Sequence, residues 1–163
     1  MDAIRMANPK TNLKNLELET TLPKITINFI KLLAETYPEV IFKCGKRFAY
    51  HPENTVIIGP VEPNFALLAL HELGHALSHH KDYKVDIDRL KIESEAWPAA
   101  RRQIANHPEW ADYGVVYDED FAEEQLDTYR NWLHQKSLCK KCGLTRIETP
   151  DGKYHCPNCD LMS

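Results

Sequence analysis

No run of eighteen apolar residues occurs in the 163-residue chain, and the best apolar stretch, Phe65 to Leu77, is broken by His71, Glu72 and His75. A membrane-spanning helix is therefore not expected. Residues Met1 to Leu22 alternate Arg5, Lys10, Lys14, Glu17 and Glu19 with single apolar residues. They lack the continuous apolar core of a signal peptide, so export is not indicated and a cytoplasmic location is the expectation. An excess of positive charge is missing too, since 20 Lys and Arg face 24 Asp and Glu for a formal net charge of −4. That mild acidity argues against a protein that coats duplex nucleic acid, although Lys136, Lys140, Lys141 and Arg146 permit a local phosphate contact without requiring one. Internal repeats and low-complexity tracts are absent. What remains is an ordinary globular balance, 43% apolar and 27% charged, in a chain long enough for one domain with a real core plus a small appendage.

Periodicity divides the chain into short elements. Residues 1–22 carry weak periodicity and read as a loose N-terminal segment. From Pro23 to Thr36, Ile25, Phe29, Leu32 and Leu33 fall at helical spacing and Pro38 stops the pattern. Val40 to Lys43, Arg47 to Tyr50 and Thr55 to Gly59 are short and rich in β-branched and aromatic residues, which predicts a small antiparallel sheet whose last strand could offer its edge to an extended peptide. Asn64 is positioned to cap a helix from Phe65 to about His80. Lys81 to Arg89 reads as a polar connection. A second long helix is expected from about Ile92 to Asn106, and Asp118 caps a last one running to about Gln135. Composition changes abruptly after Lys136. The domains implied are residues 23–136 and a cysteine-bearing unit over 137–163.

The chemistry concentrates in His71-Glu72-Leu73-Gly74-His75, the H-E-x-x-H pattern of zinc hydrolases. Residues four apart on a helix are offset by about 40° and one turn, so the two imidazoles can aim at one metal ion. Glu72 lies about 100° round the helix, within reach of a water held on that metal without being a ligand. Two histidines and a glutamate in an otherwise apolar helix would be poorly tolerated without such a partner.

Catalysis needs a third ligand and an open position. The metzincin arrangement would put Gly and His where Ser78 and Lys81 stand, so it is excluded. His79 lies about 12 Å of helix rise from His71, too far to share an ion, and His79 and His80 read as helix-end residues facing the dipole. The run Glu93-Ser94-Glu95-Ala96 on the next helix can cross to complete a two-histidine, one-glutamate site. Glu93 and Glu95 stand about 200° apart, so only one of them can face the metal, and spacing alone leaves them tied. Asp86 and Asp88 are further fallback ligands.

The run Arg47 to His80, a strand pair leading into Leu68-Ala69-Leu70-His71-Glu72-Leu73-Gly74-His75-Ala76-Leu77, is followed by Glu93-Ser94-Glu95-Ala96-Trp97 and Ala99-Ala100. Together these resemble the ImmA/IrrE family of metallopeptidases, over roughly Ala34 to Ala105. The resemblance implies a zincin-like α+β domain and a gluzincin-like zinc site on His71, His75 and a glutamate directly preceding alanine, which here is Glu95. It also implies Glu72 as general base and a regulatory protein substrate. Pro98, three residues past Glu95, departs from the pattern, because proline sits comfortably only in a first helical turn.

Cys139-x-x-Cys142 and Cys156-x-x-Cys159 enclose thirteen residues that include the turn signal Asp151-Gly152. Two such knuckles joined by a hairpin describe a zinc ribbon, in which four thiolates close the shell and the metal holds the fold. Cys44 stands alone and reads as a small buried residue. The expectation is a zinc peptidase acting on a protein or peptide, with one catalytic and one structural Zn2+, no membrane partner, and Tyr113, Tyr117 or His107 as oxyanion donor. Two rivals remain: a SprT-like DNA-associated protease, which would place a histidine such as His107 on the metal, and a non-enzymatic zinc-binding regulatory module.

Overall fold

The structure, a computed structural model, describes residues 23–61 and 63–160, so the N-terminal segment 1–22 lies outside the described residues. It is a mixed α+β arrangement with a small sheet and five helices among the described residues, one of them a 3-10 helix. Helix α1, Lys24–Thr36, starts after Pro23 and buries Thr26, Phe29, Ile30 and Leu33, while Ile25 points outward. Phe29, Ile30 and Leu33 pack with Val56, Ile58, Leu70, Leu73 and Trp110 into the main core.

Strands β1 (Ile41–Cys44), β2 (Ala49–His51) and β3 (Thr55–Ile58) form a sheet in the order β1-β3-β2. The sheet is mixed, not antiparallel as expected. β2 and β3 form an antiparallel hairpin that pairs Ala49 with Ile57 and His51 with Thr55, while β1 runs parallel to β3 with Ile41 against Thr55. The reason is the folding back of β3 into the space between its two predecessors. Its Thr55 and Val56, on opposite faces of the sheet, are both buried, the pattern of a strand covered on both faces. β3 is paired on both sides and has no edge to offer a peptide, and among the described residues the outer edge of β2, which lies against the histidine helix, pairs with no strand.

Helix α2, Phe65–Leu77, carries the two histidines on a face that is buried along with Leu70, Leu73 and Ala76. Asn64 precedes it in a left-handed conformation, φ 65°, and contributes its carbonyl to the Leu68 N–H rather than a side-chain cap. The helix ends earlier than its apolar pattern suggests, at Leu77, where His79 turns left-handed (φ 51°). The His79 N–H then reaches the Ala76 carbonyl and the His80 N–H the His75 carbonyl, the paired bonds that fold a chain back over a helix end.

Helix α3, Asp86–Asn106, begins six residues ahead of the expected start at Ile92. Its first turn is acidic, and the Asp86 N–H donates to both oxygens of Glu148 at 2.8 and 2.9 Å, a carboxylate at a helix N-terminus. That partner lies 62 residues away, out of reach of local pattern reading. Pro98 sits inside α3, so the Ser94 carbonyl has no proline N–H to accept. A 3-10 helix, Pro108–Tyr113, occupies what reads as loop in the sequence. Helix α4, Glu119–Ser137, is capped by Asp118, whose Oδ1 accepts from the Phe121 N–H at 3.0 Å. Its Ala122 and Leu126 pack on Leu67 and Trp97. A final hairpin pairs β4 (Ile147–Glu148) with β5 (Tyr154–His155), its turn closed by Gly152 at φ 78°.

Candidate metal centres

The contact between α2 and α3 decides which carboxylate meets the histidines. A Cβ on Gly74 would collide with the Ala96 carbonyl, so glycine lets the two backbones touch at that point. With Ala96 against α2, the residue three earlier on the same helix, Glu93, faces α2 as well, and Glu95, about 200° round from Glu93, is turned away. The Glu93 side chain is only 10% exposed, whereas that of Glu95 is 48% exposed. The resemblance implied Glu95 as ligand; the structure puts Glu93 beside the imidazoles.

His71 Nε2 lies 3.1 Å from His75 Nε2 and 3.1 Å from Glu93 Oε2, and His75 Nε2 lies 3.4 Å from the same oxygen. These three atoms form a nearly equilateral triangle. Ligand atoms about 2.0–2.1 Å from a tetrahedral ion stand roughly 3.3–3.4 Å apart, so the donor set fits a metal ion in size as well as chemistry. Aromatic rings brace both imidazoles: Trp97 lies 4.2 Å from the His71 ring centroid, and Tyr50 of β2 is stacked with His75 at 6.0 Å. His71 Nδ1 is buried and without a partner among the described residues.

Charge follows burial and neighbours. Burial lowers the His71 pKa, an effect partly offset by its bond to Glu93. Burial alone would lift the Glu93 carboxyl, but the hydrogen bonds and charges of His71 and His75 outweigh it and hold it at about 2. Glu72 is raised to about 7, chiefly by burial and further by Glu93, against the lowering effect of His75. Glu72, His75 and Glu93 line a cavity of about 350 Å³ together with Tyr50, His80, Arg89 and Tyr129.

His80 is the residue that sequence reasoning misplaced. It is buried, its Nδ1 is 2.8 Å from His75 Nδ1, and its Nε2 is 3.2 Å from Glu95 Oε2. If His75 gives its Nε2 lone pair to a metal, its Nδ1 carries the proton and donates to His80. His80 must then accept at Nδ1 and donate from Nε2 to Glu95. The backward fold at His79 creates this chain, and the signal for it in the sequence is slight.

Other expected residues lie elsewhere. His107 is 2.9 Å from Glu109 and stacked on Trp110, Tyr113 packs on Phe29, and Tyr117 sits beneath Arg101. Tyr129 is the tyrosine of α4 that faces the cavity. Burial first, then the neighbouring Glu93 carboxylate, pushes its hydroxyl up to about 12. In the sequence Tyr129 falls at helical spacing with Ala122, Leu126 and Leu133 and reads as a packing residue. Asp86 is engaged with the C-terminal hairpin, accepting from Tyr154 Oη at 2.7 Å and pairing with Lys136 Nζ at 2.6 Å.

Cys139, Cys142, Cys156 and Cys159 form a second group that could hold a metal, all four sulfurs lying within 4.8 Å of one another. Cys139 and Cys159 Sγ are 3.9 Å apart and Cys142 and Cys156 Sγ 3.5 Å, which brackets the roughly 3.8 Å between thiolates about 2.3 Å from a tetrahedral ion. Backbone N–H groups of Cys142 and Lys141 pull the Cys139 thiol down to about 6, and that of Leu144 lowers Cys142. Amides of the first knuckle thus favour the thiolate form that binds metal, while in the second the bond to Cys142, then burial, pushes the Cys159 thiol up to about 12. Cys44 is half-buried, and burial raises its thiol.

No protein-family description, curated protein or solved structure matches this chain. No helix among the described residues is long and apolar enough to cross a membrane.

Proposed function

We propose that the protein is a zinc-dependent peptidase of zincin-like type, with its ion on His71, His75 and Glu93, and that the cysteine group holds a structural zinc. The observation that carries this reading is the His71–His75–Glu93 triangle beside a cavity that Glu72 also lines. Three protein donors leave a tetrahedral ion one position for water or substrate, whereas four thiolates leave none. Zinc held there would supply Lewis acidity toward water and a peptide carbonyl.

The chain's own residues account for the remaining steps. Glu72, which lines the cavity beside the triangle, is placed to take a proton from the attacking water and return it to the leaving amine, and a 2+ ion nearby would favour the carboxylate form that a base needs. Tyr129, whose protonated hydroxyl faces the cavity and bonds Glu93 in the metal-free site, would donate to the developing oxyanion once the ion engages Glu93. The free edge of β2, whose Tyr50 stacks on His75, can pair with an extended substrate backbone. The SprT-like alternative loses its histidine, because His107 is bonded to Glu109 and packs on Trp110. A cytoplasmic protein substrate fits the sequence reading.

The test is a proteome-wide comparison of cleavage products after incubation with wild type or Glu72→Gln. New termini should arise with wild type alone. Identical product sets would remove the peptidase reading.

A further inference from the structure

Arg89 lies one helical turn before Glu93 on α3 and lines the same cavity. Its guanidinium carbon sits 4.9 Å from the centroid of Trp132, 5.1 Å from Tyr129 and 5.7 Å from Tyr83. Three rings around one half-buried cation restrict its positions and take little of its hydrogen-bonding capacity. Of its five N–H donors, one reaches the Tyr83 hydroxyl at 3.5 Å, and no carboxylate pairs with it among the described residues. Arg101 and Arg130, by contrast, hold Glu119 and Glu123 at 3.0 and 2.8 Å. Asp86 is close enough to Arg89 to feel its charge, but that carboxylate is taken by Lys136 and Tyr154.

A guanidinium held in place, unpaired, beside a candidate catalytic centre calls for an anion from the ligand. We propose that Arg89 is a specificity-determining residue that binds a peptide carboxylate, from an acidic side chain or a free C-terminus, next to the bond presented to His71, His75 and Glu93. The inference rests on the peptidase reading of that cavity. A single carboxylate suits the site better than a polyanion, because Arg47, Lys81 and Arg89 are matched in number by Glu72, Asp82 and Glu93 in the lining, which leaves no excess of positive charge to hold a run of phosphates.

The experiment measures fluorescence-anisotropy binding of labelled octapeptide pools to the zinc-loaded, full-length Glu72→Gln protein. The pools differ only in one fixed Glu with an amidated C-terminus, one fixed Gln with a free C-terminus, or one fixed Gln with an amidated C-terminus. One of the two carboxylate pools should bind roughly tenfold more tightly than the fully amidated pool, the effect of one charge-assisted contact. Which pool does so identifies the source of the carboxylate. Adding Arg89→Gln should abolish the preference. If that variant fails to fold by circular dichroism, Arg89→Lys replaces it and should lose most of the preference with the forked geometry. Equal binding of all pools, a preference that survives either folded variant, or an oligothymidylate that outcompetes every pool would overturn the proposal. Carboxylate-selective binding without wild-type proteolysis would uphold the subsite and remove the peptidase reading; proteolysis without selectivity would do the reverse.

Discussion

The His71–His75–Glu93 group and the four-cysteine group are both sized for a tetrahedral ion, yet they are assembled in opposite ways. The cysteines come from two short knuckles joined by a two-stranded hairpin that has little apolar core of its own. The histidines and Glu93 come from two helices already clamped together by Gly74, Ala96 and a buried core. On the proposed reading, metal binding at the first would be inseparable from folding, whereas at the second the packed helices hold three donors beside a cavity before any metal arrives. A site built on a prior fold can leave one coordination position open, whereas a metal that supplies the fold is best enclosed.

The largest effect should therefore come from the closed group. Cys156→Ser, or metal removal from that group, should unfold residues 138–160, since structural zinc in small modules supplies on the order of 10 kcal/mol or more. Hydrogen exchange read by mass spectrometry should show protection lost there while helix α2 keeps its own. Protection that survives in the hairpin would mean that its docking through Asp86, Lys136 and Tyr154 suffices without metal.

At the open group, Glu72→Gln should keep two zinc ions per chain and lower peptide hydrolysis by roughly 10²–10⁴, the range for a general acid–base group. Glu93→Gln should instead reduce zinc to one per chain. Unchanged turnover in Glu72→Gln would remove the base, and two retained zincs in Glu93→Gln would remove that ligand.

Much of this contrast was legible in the sequence. Residues His71, Glu72 and His75 are local, so helical spacing alone defines them, and the cysteine pairs with Asp151-Gly152 between them define a hairpin. The third carboxylate was harder. Spacing left Glu93 and Glu95 tied, and family resemblance pointed to Glu95, but the buried stripe of α3 runs Glu93, Ala96, Ala100 at intervals of three and four. That stripe could have broken the tie. The β1-β3-β2 order, the early start of α3 on Glu148, and the return of His80 depend on tertiary partners or on one left-handed residue, and no local pattern encodes them.

Stability against pH offers a smaller test of the prior fold. In the metal-free protein Glu72 has a folded pKa of about 7 against an ordinary 4.5. Between those values the unfolded chain binds fewer protons than the folded one, so this group's contribution is complete below the unfolded pKa and lost as pH rises through 7. Urea unfolding of metal-stripped protein should show wild type losing up to about 3 kcal/mol relative to Glu72→Gln between pH 4.5 and 8. Using the variant as reference matters, because His71, its pKa lowered mainly by burial, contributes in the opposite direction in both proteins. Parallel stability curves would show that the Glu72 carboxylate remains well solvated in the empty site.

The smallest effect concerns the residues around the open group that do not touch the ion. The chain from His75 Nδ1 through His80 to Glu95 fixes the proton on the nitrogen that a ligating His75 must keep protonated. His80→Ala should weaken zinc at this site by about 10–100-fold, the usual cost of losing an outer hydrogen-bond partner, and leave the cysteine group unaffected. His80→Gln should recover part of the loss, since its amide oxygen can accept from His75. Glu95→Gln should cost least, because an amide oxygen can still accept from His80 Nε2. Chelator competition, resolved between the two sites, measures all three. A Glu95→Gln protein that binds zinc no better than Glu93→Gln would put Glu95 back among the ligands.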